Sequence, residues 1–163
     1  MKNTHKNTTK PHKYTPKTNE DLAKLAQDES IYLGDIDTSA ITDMSWLFQG
    51  SERKDFSGIE TWDTSSVTNM SGMFASAEFF NHPIGSWDTS SVKDMSWMFK
   101  DAISFNQPLD SWDVSSAESI VGMFWGATAF SQPLHSWDIR KDASRHSVFV
   151  RSGVSEYPKW IEA

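Results

Sequence analysis

Apolar residues recur along this chain in five copies of one short pattern. Each copy has an apolar residue, a second one three positions later and, after two more positions, a threonine, valine or isoleucine. In the last four copies the second residue is a tryptophan, and these tryptophans lie 25 residues apart. A period of this size indicates one supersecondary unit stacked on copies of itself. The copies are Leu33-x-x-Ile36-x-Thr38, Ile59-x-x-Trp62-x-Thr64, Ile84-x-x-Trp87-x-Thr89, Leu109-x-x-Trp112-x-Val114 and Leu134-x-x-Trp137-x-Ile139.

Each copy predicts a short strand followed by a short helix. The last two positions of the pattern are separated by one residue, which is the spacing of side chains that share one face of a strand. A second apolar stripe follows after a pair of serines. In the second copy it consists of Val67, Met70, Phe74 and Ala77, whose spacing of three and four residues is that of a helix. Ser66 stands where such a helix needs an N-cap.

Together these patterns predict an α/β fold. We expect a leucine-rich-repeat-like right-handed solenoid of about five 25-residue coils, each with a short parallel strand and a short helix. Thr18 precedes two acidic residues and predicts an N-terminal capping helix over about residues 19–28. Such caps cover the open end of a repeat array. The pattern decays after Ile139, and we expect Tyr157 and Trp160 to cover the last coil.

The same elements predict a tail and one domain. Residues 1–17 contain five lysines and no acidic residue, and they predict a flexible basic tail because they have little to bury. The remaining residues, 18–163, are predicted to form a single solenoid domain. Within it we assign 18–30 to the N-terminal helical cap, 31–139 to the repeats and 140–163 to a degenerate last coil with the C-terminal cap.

Charge and composition argue against several classes of function. The net charge is −7, and the chain after residue 17 carries 10 basic against 22 acidic side chains. Such an acidic body argues against nucleic acid as a partner. No apolar stretch approaches the roughly 20 residues of a membrane span, and no secretory signal is visible. The chain has no cysteine, so we expect neither a disulfide framework nor a thiolate metal site.

One repeat is closely similar to a known family. The phrase W-D-T-S-S-V-T-N-M-S-G-M-F-A-S-A at residues 62–77 resembles the BspA-type leucine-rich repeat of bacterial surface proteins and lipoproteins. The resemblance covers about residues 31–150. It implies a solenoid whose exposed face binds other macromolecules, often host proteins, although many members of the family have no known function. The resemblance implies a surface or secreted location, whereas the sequence without a visible leader is compatible with the cytoplasm.

The strongest candidate for an interaction site is a column of aspartates. One aspartate follows the tryptophan position in every copy, and the alternation of the predicted strand turns it away from the core. Three interpretations stay open. Each carboxylate could accept hydrogen bonds from the following serine turn, bind a basic partner protein, or share calcium with the neighbouring coils. The column consists of Asp37, Asp63, Asp88, Asp113 and Asp138.

Other repeated polar and aromatic residues are predicted to be structural. Asn81 and Asn106 share a repeat position and predict an asparagine ladder that satisfies loop backbone. The repeated tryptophans are interpreted as core residues, each of which needs an acceptor for its indole N–H. Trp97 and Trp125 do not share a repeat position and are candidates for exposed contact anchors.

We expect a non-enzymatic repeat protein that mediates protein–protein interaction. The five histidines have no metal-binding spacing, and the sequence contains no nucleophile elbow or phosphate-binding glycine loop. Repeats also place like side chains beside like, whereas catalysis needs unlike groups to converge. Two alternatives are a structural or scaffolding domain without a dedicated ligand and a calcium-dependent adhesion module. The preferred interpretation has a protein partner, no cofactor, no resident metal and a monomeric chain.

Overall fold

The computed structural model describes residues 11–161. Residues 1–10, which make up most of the predicted flexible tail, lie outside this part, as do residues 162 and 163. Turns and irregular backbone dominate the described chain. Its helices are α1 over Asn19–Gln27 and three short 3₁₀-helices over Leu33–Asp35, Ile59–Thr61 and Lys159–Ile161. None of the helices within residues 11–161 has the length and the apolar character needed to cross a membrane.

Helix α1 lies within the predicted range. Thr18 Oγ1 accepts a hydrogen bond from the Asp21 N–H at 3.1 Å, and Glu20 and Asp21 place negative charge at the positive end of the helix. Leu22 and Ala26 on its inner face are fully buried in the same core as the repeats. The local capping residues thus start the helix, and burial of one face holds it in place.

The residues before α1 pair with the first repeat. Tyr14 forms a parallel bridge with Ile36. The Tyr14 N–H donates to the Asp35 carbonyl at 3.1 Å, and the Asp37 N–H donates to the Tyr14 carbonyl at 2.8 Å. The first repeat therefore has backbone partners on its N-terminal side.

The repeats stack through five eight-residue segments that we call rows 1 to 5. The second, fourth, sixth and eighth residues of rows 1 to 4 donate their backbone N–H groups to carbonyls of the next row. The Phe74 N–H, for example, donates to the Met98 carbonyl at 2.8 Å. Isolated parallel bridges join the first residues of adjacent rows. The rows are residues 43–50, 69–76, 94–101, 119–126 and 144–151.

The predicted fold class was wrong, because the chain does not form an α/β solenoid of strand-and-helix coils. The segment predicted to be helical in each coil is a row, and its hydrogen bonds run to the next repeat instead of four residues back. The segment predicted to be a strand forms 3₁₀ turns at Leu33–Asp35 and Ile59–Thr61. Among residues 11–161, extended pairing is limited to the isolated bridges. The backbone hydrogen bonds that join one repeat to the next are thus made by the segment predicted to be helical and not by the predicted strand.

Positive φ angles explain why a helical spacing does not give a helix here. The fourth and the eighth residue of every row have φ between 54° and 71°. This left-handed conformation interrupts both a right-handed helix and a strand. Glycine, which adopts it without strain, occupies four of the ten positions. The positions are Trp46, Gly72, Trp97, Gly122 and Ser147, and Gly50, Ser76, Asp101, Gly126 and Arg151.

Columns of aromatic side chains fill the core between the rows. The rings of Phe48, Phe74, Phe99, Phe124 and Phe149 stack with centroids 5.5 to 5.7 Å apart. The repeated tryptophans are buried, which confirms their predicted core role. Each indole N–H donates to a carbonyl of the preceding repeat, as Trp87 does to Ile59 at 3.1 Å. Burial of these large rings supplies much of the apolar area that stabilises the stack.

The predicted asparagine ladder is confirmed. Asn81 Oδ1 accepts the Asn106 N–H at 2.9 Å, and Asn106 Oδ1 accepts the Ser131 N–H at 3.0 Å. Gln107 Nε2 donates to Asn81 Oδ1 at 3.0 Å. The ladder satisfies backbone donors of the loops that lead back to the next repeat.

Candidate interaction surface

The aspartate column lies beside the buried tryptophan column. Asp63, Asp88, Asp113 and Asp138 are exposed, and Asp37 is half-buried. The residues on either side of each aspartate are buried, so the inward and outward alternation holds although no strand forms.

Each of the first four carboxylates closes a turn with the serine two residues later. Asp88 Oδ1 accepts the Ser90 N–H at 3.0 Å and the Ser90 hydroxyl at 2.6 Å. Asp63 and Asp113 make the same two bonds with their serines, and Asp37 Oδ1 accepts the backbone N–H of its serine. These are Asx-turns, the first of the three predicted interpretations. The fifth copy departs from the pattern because Arg140 stands where a serine would follow Asp138.

The serine hydrogen bonds also lower the pKa of three carboxyl groups of the column, Asp37, Asp88 and Asp113. The Ser90 hydroxyl is the main cause that lowers the pKa of Asp88, and the Ser90 N–H adds to it. Ser115 lowers the pKa of Asp113 in the same way. The charge of Asp113 raises the pKa of Asp88 slightly, so neighbours in the column do interact. Both groups are therefore ionised at neutral pH.

Only one oxygen of each column carboxylate is used by these turns. All hydrogen bonds from residues 11–161 to the carboxylates of Asp63, Asp88 and Asp113 go to Oδ1. The second oxygen, Oδ2, remains available to solvent or to a partner. The column can therefore accept hydrogen bonds and bind cations without disturbing its turns.

A second column of Asx-turns was missed in the sequence. Asp43, Asn69 and Asp94 begin rows 1 to 3, and the Oδ1 of each accepts the N–H of a serine two residues later at 2.7 to 2.9 Å. The signal was present as an aspartate or asparagine followed two residues later by serine. These side chains are half-buried and shape the start of each row.

Exposed indoles form a separate surface. Sequence reasoning singled out Trp97 and Trp125, which are half-buried with ring centroids 6.1 Å apart, but it missed Trp46. The Trp46 side chain is 45% exposed. Trp46 and Trp97 line a groove of about 320 Å³ together with Lys100. The sequence signal for this surface is the alternation of tryptophan and glycine at the fourth position of rows 1 to 4.

The other concave surface near the first rows is acidic. It is a depression of about 790 Å³ lined by Glu29, Glu52 and Glu78, with Lys54 Nζ 5.3 Å from the centre of the Phe79 ring. Within residues 11–161 there is no group of three or more His, Cys, Asp or Glu side chains placed to hold a metal ion. Calcium binding by the aspartate column stays a prediction.

Comparison with known proteins identifies the family of the chain. The family model described as "Mycoplasma protein of unknown function, DUF285" matches residues 42–160. This segment contains rows 1 to 5 and four of the five column aspartates. No curated protein and no solved structure matches the chain. Because the matched segment is well over half of its length, the chain belongs to the family of Mycoplasma proteins of unknown function described as DUF285.

Proposed function

We propose that this chain is a non-enzymatic repeat protein that binds another protein through its aspartate column. The observation that carries the proposal is that Asp63, Asp88 and Asp113 use Oδ1 to close their turns, whereas Oδ2 accepts no hydrogen bond from residues 11–161. A turn needs an acceptor but no charge, and an asparagine oxygen would serve as well. The turn can therefore form without the negative charge, although ionisation strengthens it at Asp88 and Asp113.

A basic partner would relieve a cost that is built into the column. Carboxylates stacked about 5 Å apart repel each other by about 0.8 kcal/mol per pair even at the dielectric constant of water. Lysine or arginine side chains laid along the column would replace this repulsion with charge-assisted hydrogen bonds. The resemblance to BspA-type repeats also supports a protein as the partner. Binding of this kind weakens as salt screens the exposed charges.

The test is to change Asp63, Asp88 and Asp113 together to asparagine. Each asparagine keeps the Oδ1 acceptor of its turn and removes one negative charge, so the variant should stay folded at neutral pH and lose only the part of its stability that the charge gives these turns. We expect the immobilised intact chain to retain proteins from a lysate of the source cells, and the triple asparagine variant to lose them.

A matched control separates the effect of the aspartate column from the effect of the net charge of the chain. Changing Glu29, Glu52 and Glu78 together to glutamine removes the same number of charges from the acidic depression and should leave retention unchanged. If the asparagine variant retains the same proteins as the intact chain, the column is not the interface. Retention of no protein by the intact chain would favour the scaffolding alternative.

A further inference from the structure

Row 5 ends the ladder with backbone donors that have no acceptor among residues 11–161. In rows 1 to 4 every second N–H group donates to the next row. The corresponding donors of row 5 have no following row, and residues 11–161 provide no acceptor for them. They are the N–H groups of Arg145, Ser147, Phe149 and Arg151. A row of unpaired N–H groups at the edge of a ladder is a template for pairing with another chain.

The C-terminal cap covers the core at this end but not the backbone donors. Trp160 extends the indole column and donates its indole N–H to the Leu134 carbonyl at 2.9 Å. Tyr157 stacks on Phe149 with centroids 5.6 Å apart. A groove of about 310 Å³ runs along row 5 and is lined in part by Val148, Val150 and Tyr157. Tyr157 is 59% exposed. Apolar side chains of a partner could therefore enter the groove while its backbone pairs with row 5.

A second copy of this chain does not fit row 5. The complementary acceptors would be the carbonyls of row 1, but Asn19 Nδ2 already donates to Asp43 and Ser45 at 3.2 and 3.1 Å, and α1 lies at that end. Two copies meeting at row 5 would place N–H groups against N–H groups. The occupant must therefore be another chain that offers carbonyl groups.

The charge around row 5 selects the kind of partner. Residues 140–161 contain five lysines and arginines against two acidic residues, in a chain whose net charge is −7. Arg151 and His146 are exposed on row 5 itself, and Lys141 and Lys159 are exposed beside it. This basic end would attract an acidic segment and repel the basic partner proposed for the aspartate column.

We propose that row 5 is a docking surface for an acidic segment of a partner protein, which lies along it as a sixth row. The carbonyls of that segment accept the four outward N–H groups of row 5, its apolar side chains enter the groove, and its carboxylates face Arg151 and His146. This mode of recognition takes its affinity from the main chain and its selectivity from the side chains. It uses a different surface and the opposite charge from the aspartate column, so either proposal can fail alone.

A synthetic peptide tests the proposal on the full chain. The probe is a labelled peptide with the sequence of residues 117–127, which includes all of row 4 with its two left-handed glycines, preceded by four glutamates. We expect it to bind in a fluorescence anisotropy titration. A scrambled peptide of the same composition should bind at least about tenfold more weakly, which corresponds to about 1.4 kcal/mol.

Charge reversal locates the peptide. The double variant Arg151→Glu with His146→Glu should weaken binding about tenfold or more, because both side chains then repel the glutamates. The matched control, Lys13→Glu with Lys54→Glu, reverses two exposed charges away from row 5 and should leave the affinity unchanged. Equal loss in both double variants would mean attraction by net charge only and would overturn the proposal.

Amide hydrogen exchange tests the backbone pairing directly. In the free chain the N–H groups of Ser147 and Phe149 should exchange faster than those of Gly122 and Phe124, which occupy the same positions in row 4 and are paired. The peptide should slow exchange at Ser147 and Phe149 about tenfold or more. Binding without this protection would overturn the proposal. If the chain alone forms a dimer in which these amides are already protected, the proposal of a partner segment is overturned and self-association at row 5 takes its place.

Discussion

At the scale of single residues, the fourth position of each row determines how two rows fit together. Trp46 and Trp97 hold this position in rows 1 and 3, and Gly72 and Gly122 hold it in rows 2 and 4. A Cβ atom at Gly72 would overlap the Trp46 ring, and one at Gly122 would overlap the Trp97 ring. Each tryptophan thus fills the space that the glycine of the next row leaves open. The Trp46 and Trp97 rings therefore pack against the backbone of the next row although they lie at the surface.

This fit predicts unequal effects for two glycine substitutions. Gly50→Ala and Gly72→Ala both place a side chain at positive φ, at +62° and +61°. Gly50 has nothing within 4 Å of its added Cβ, so the substitution should cost about 1 kcal/mol of backbone strain. Gly72→Ala must also displace the Trp46 ring and should cost about 3 kcal/mol. Urea denaturation measures both, and equal costs would contradict the described fit.

The serine-bound aspartates predict acid sensitivity. The pKa values of Asp88 and Asp113 are lowered in the folded chain, so their stabilisation is complete above the ordinary carboxyl pKa of about 3.9 and is lost as the pH falls through the lowered values. The free energy of unfolding should be level above about pH 5 and should fall below about pH 4.

Two double variants test the cause of this acid sensitivity. Asp88→Asn with Asp113→Asn removes the titrating groups, and Ser90→Ala with Ser115→Ala removes the main cause of the lowered pKa values. In denaturation curves recorded between about pH 2 and pH 6, the free energy of unfolding of both variants should fall less steeply with decreasing pH than that of the intact chain. An unchanged pH dependence in both would refute this origin.

At the scale of elements, the attachment of α1 depends on a buried arginine from the loop after row 1. Arg53 is only 4% exposed. Its guanidinium donates to the carbonyls of Ala26 and Asp28 at 3.1 Å and of Ile31 at 2.6 Å, and Nε donates to Asp55 at 2.6 Å. Burial lowers the pKa of Arg53 from its ordinary value, whereas nearby carboxylates oppose this shift. The side chain thus satisfies the carbonyls at the C-terminal end of α1.

Removing this guanidinium should loosen the helix. Arg53→Met keeps an apolar stem but removes the side-chain donor of four carbonyls, of which that of Asp28 keeps the Ile31 N–H, and it should lower the free energy of unfolding by about 3 kcal/mol. Exchange of the α1 amides should become faster as well. The neighbouring exposed Lys54→Met is the control and should change stability by less than about 0.5 kcal/mol. Equal effects of the two variants would show that α1 does not depend on Arg53.

The elements differ in how far the sequence predicts them. Helix α1 follows from local signals, since Thr18 caps it and Leu22 and Ala26 face inward. The rows do not, because the spacing of Val67, Met70 and Phe74 suits a helix as well as a row. A row forms instead of a helix because two of its residues have positive φ and because it pairs with a segment 24 residues away. In the sequence, glycine marks positive φ at only some of these positions.

The candidate site was predicted only in part, because sequence reasoning captures local features and not the pairing of distant repeats. The aspartates are exposed and close serine turns because both properties depend on residues next to them in sequence. The exposure of Trp46, and the lack of an acceptor among residues 11–161 for the donors of row 5, depend on how the repeats stack. Once the row pairing is known, both follow from it.

At the scale of the whole molecule, the two ends of the stack are unlike. Helix α1 and the Asn19 amide cover row 1, whereas the C-terminal residues cover the aromatic columns and leave the N–H groups of row 5 without an acceptor among residues 11–161. The free end is basic and the body between the ends is acidic. Such a molecule can bind partners of opposite charge at two separate surfaces.

The ladder of backbone hydrogen bonds between rows joins the repeats, and through-hydrogen-bond scalar couplings in NMR test it directly. We predict couplings from the amide nitrogen of Phe74 to the carbonyl carbon of Met98 and from that of Phe99 to that of Met123. A coupling from Phe74 to Met70, four residues back, would instead show a helix in this segment and would contradict both the ladder and the open edge at row 5.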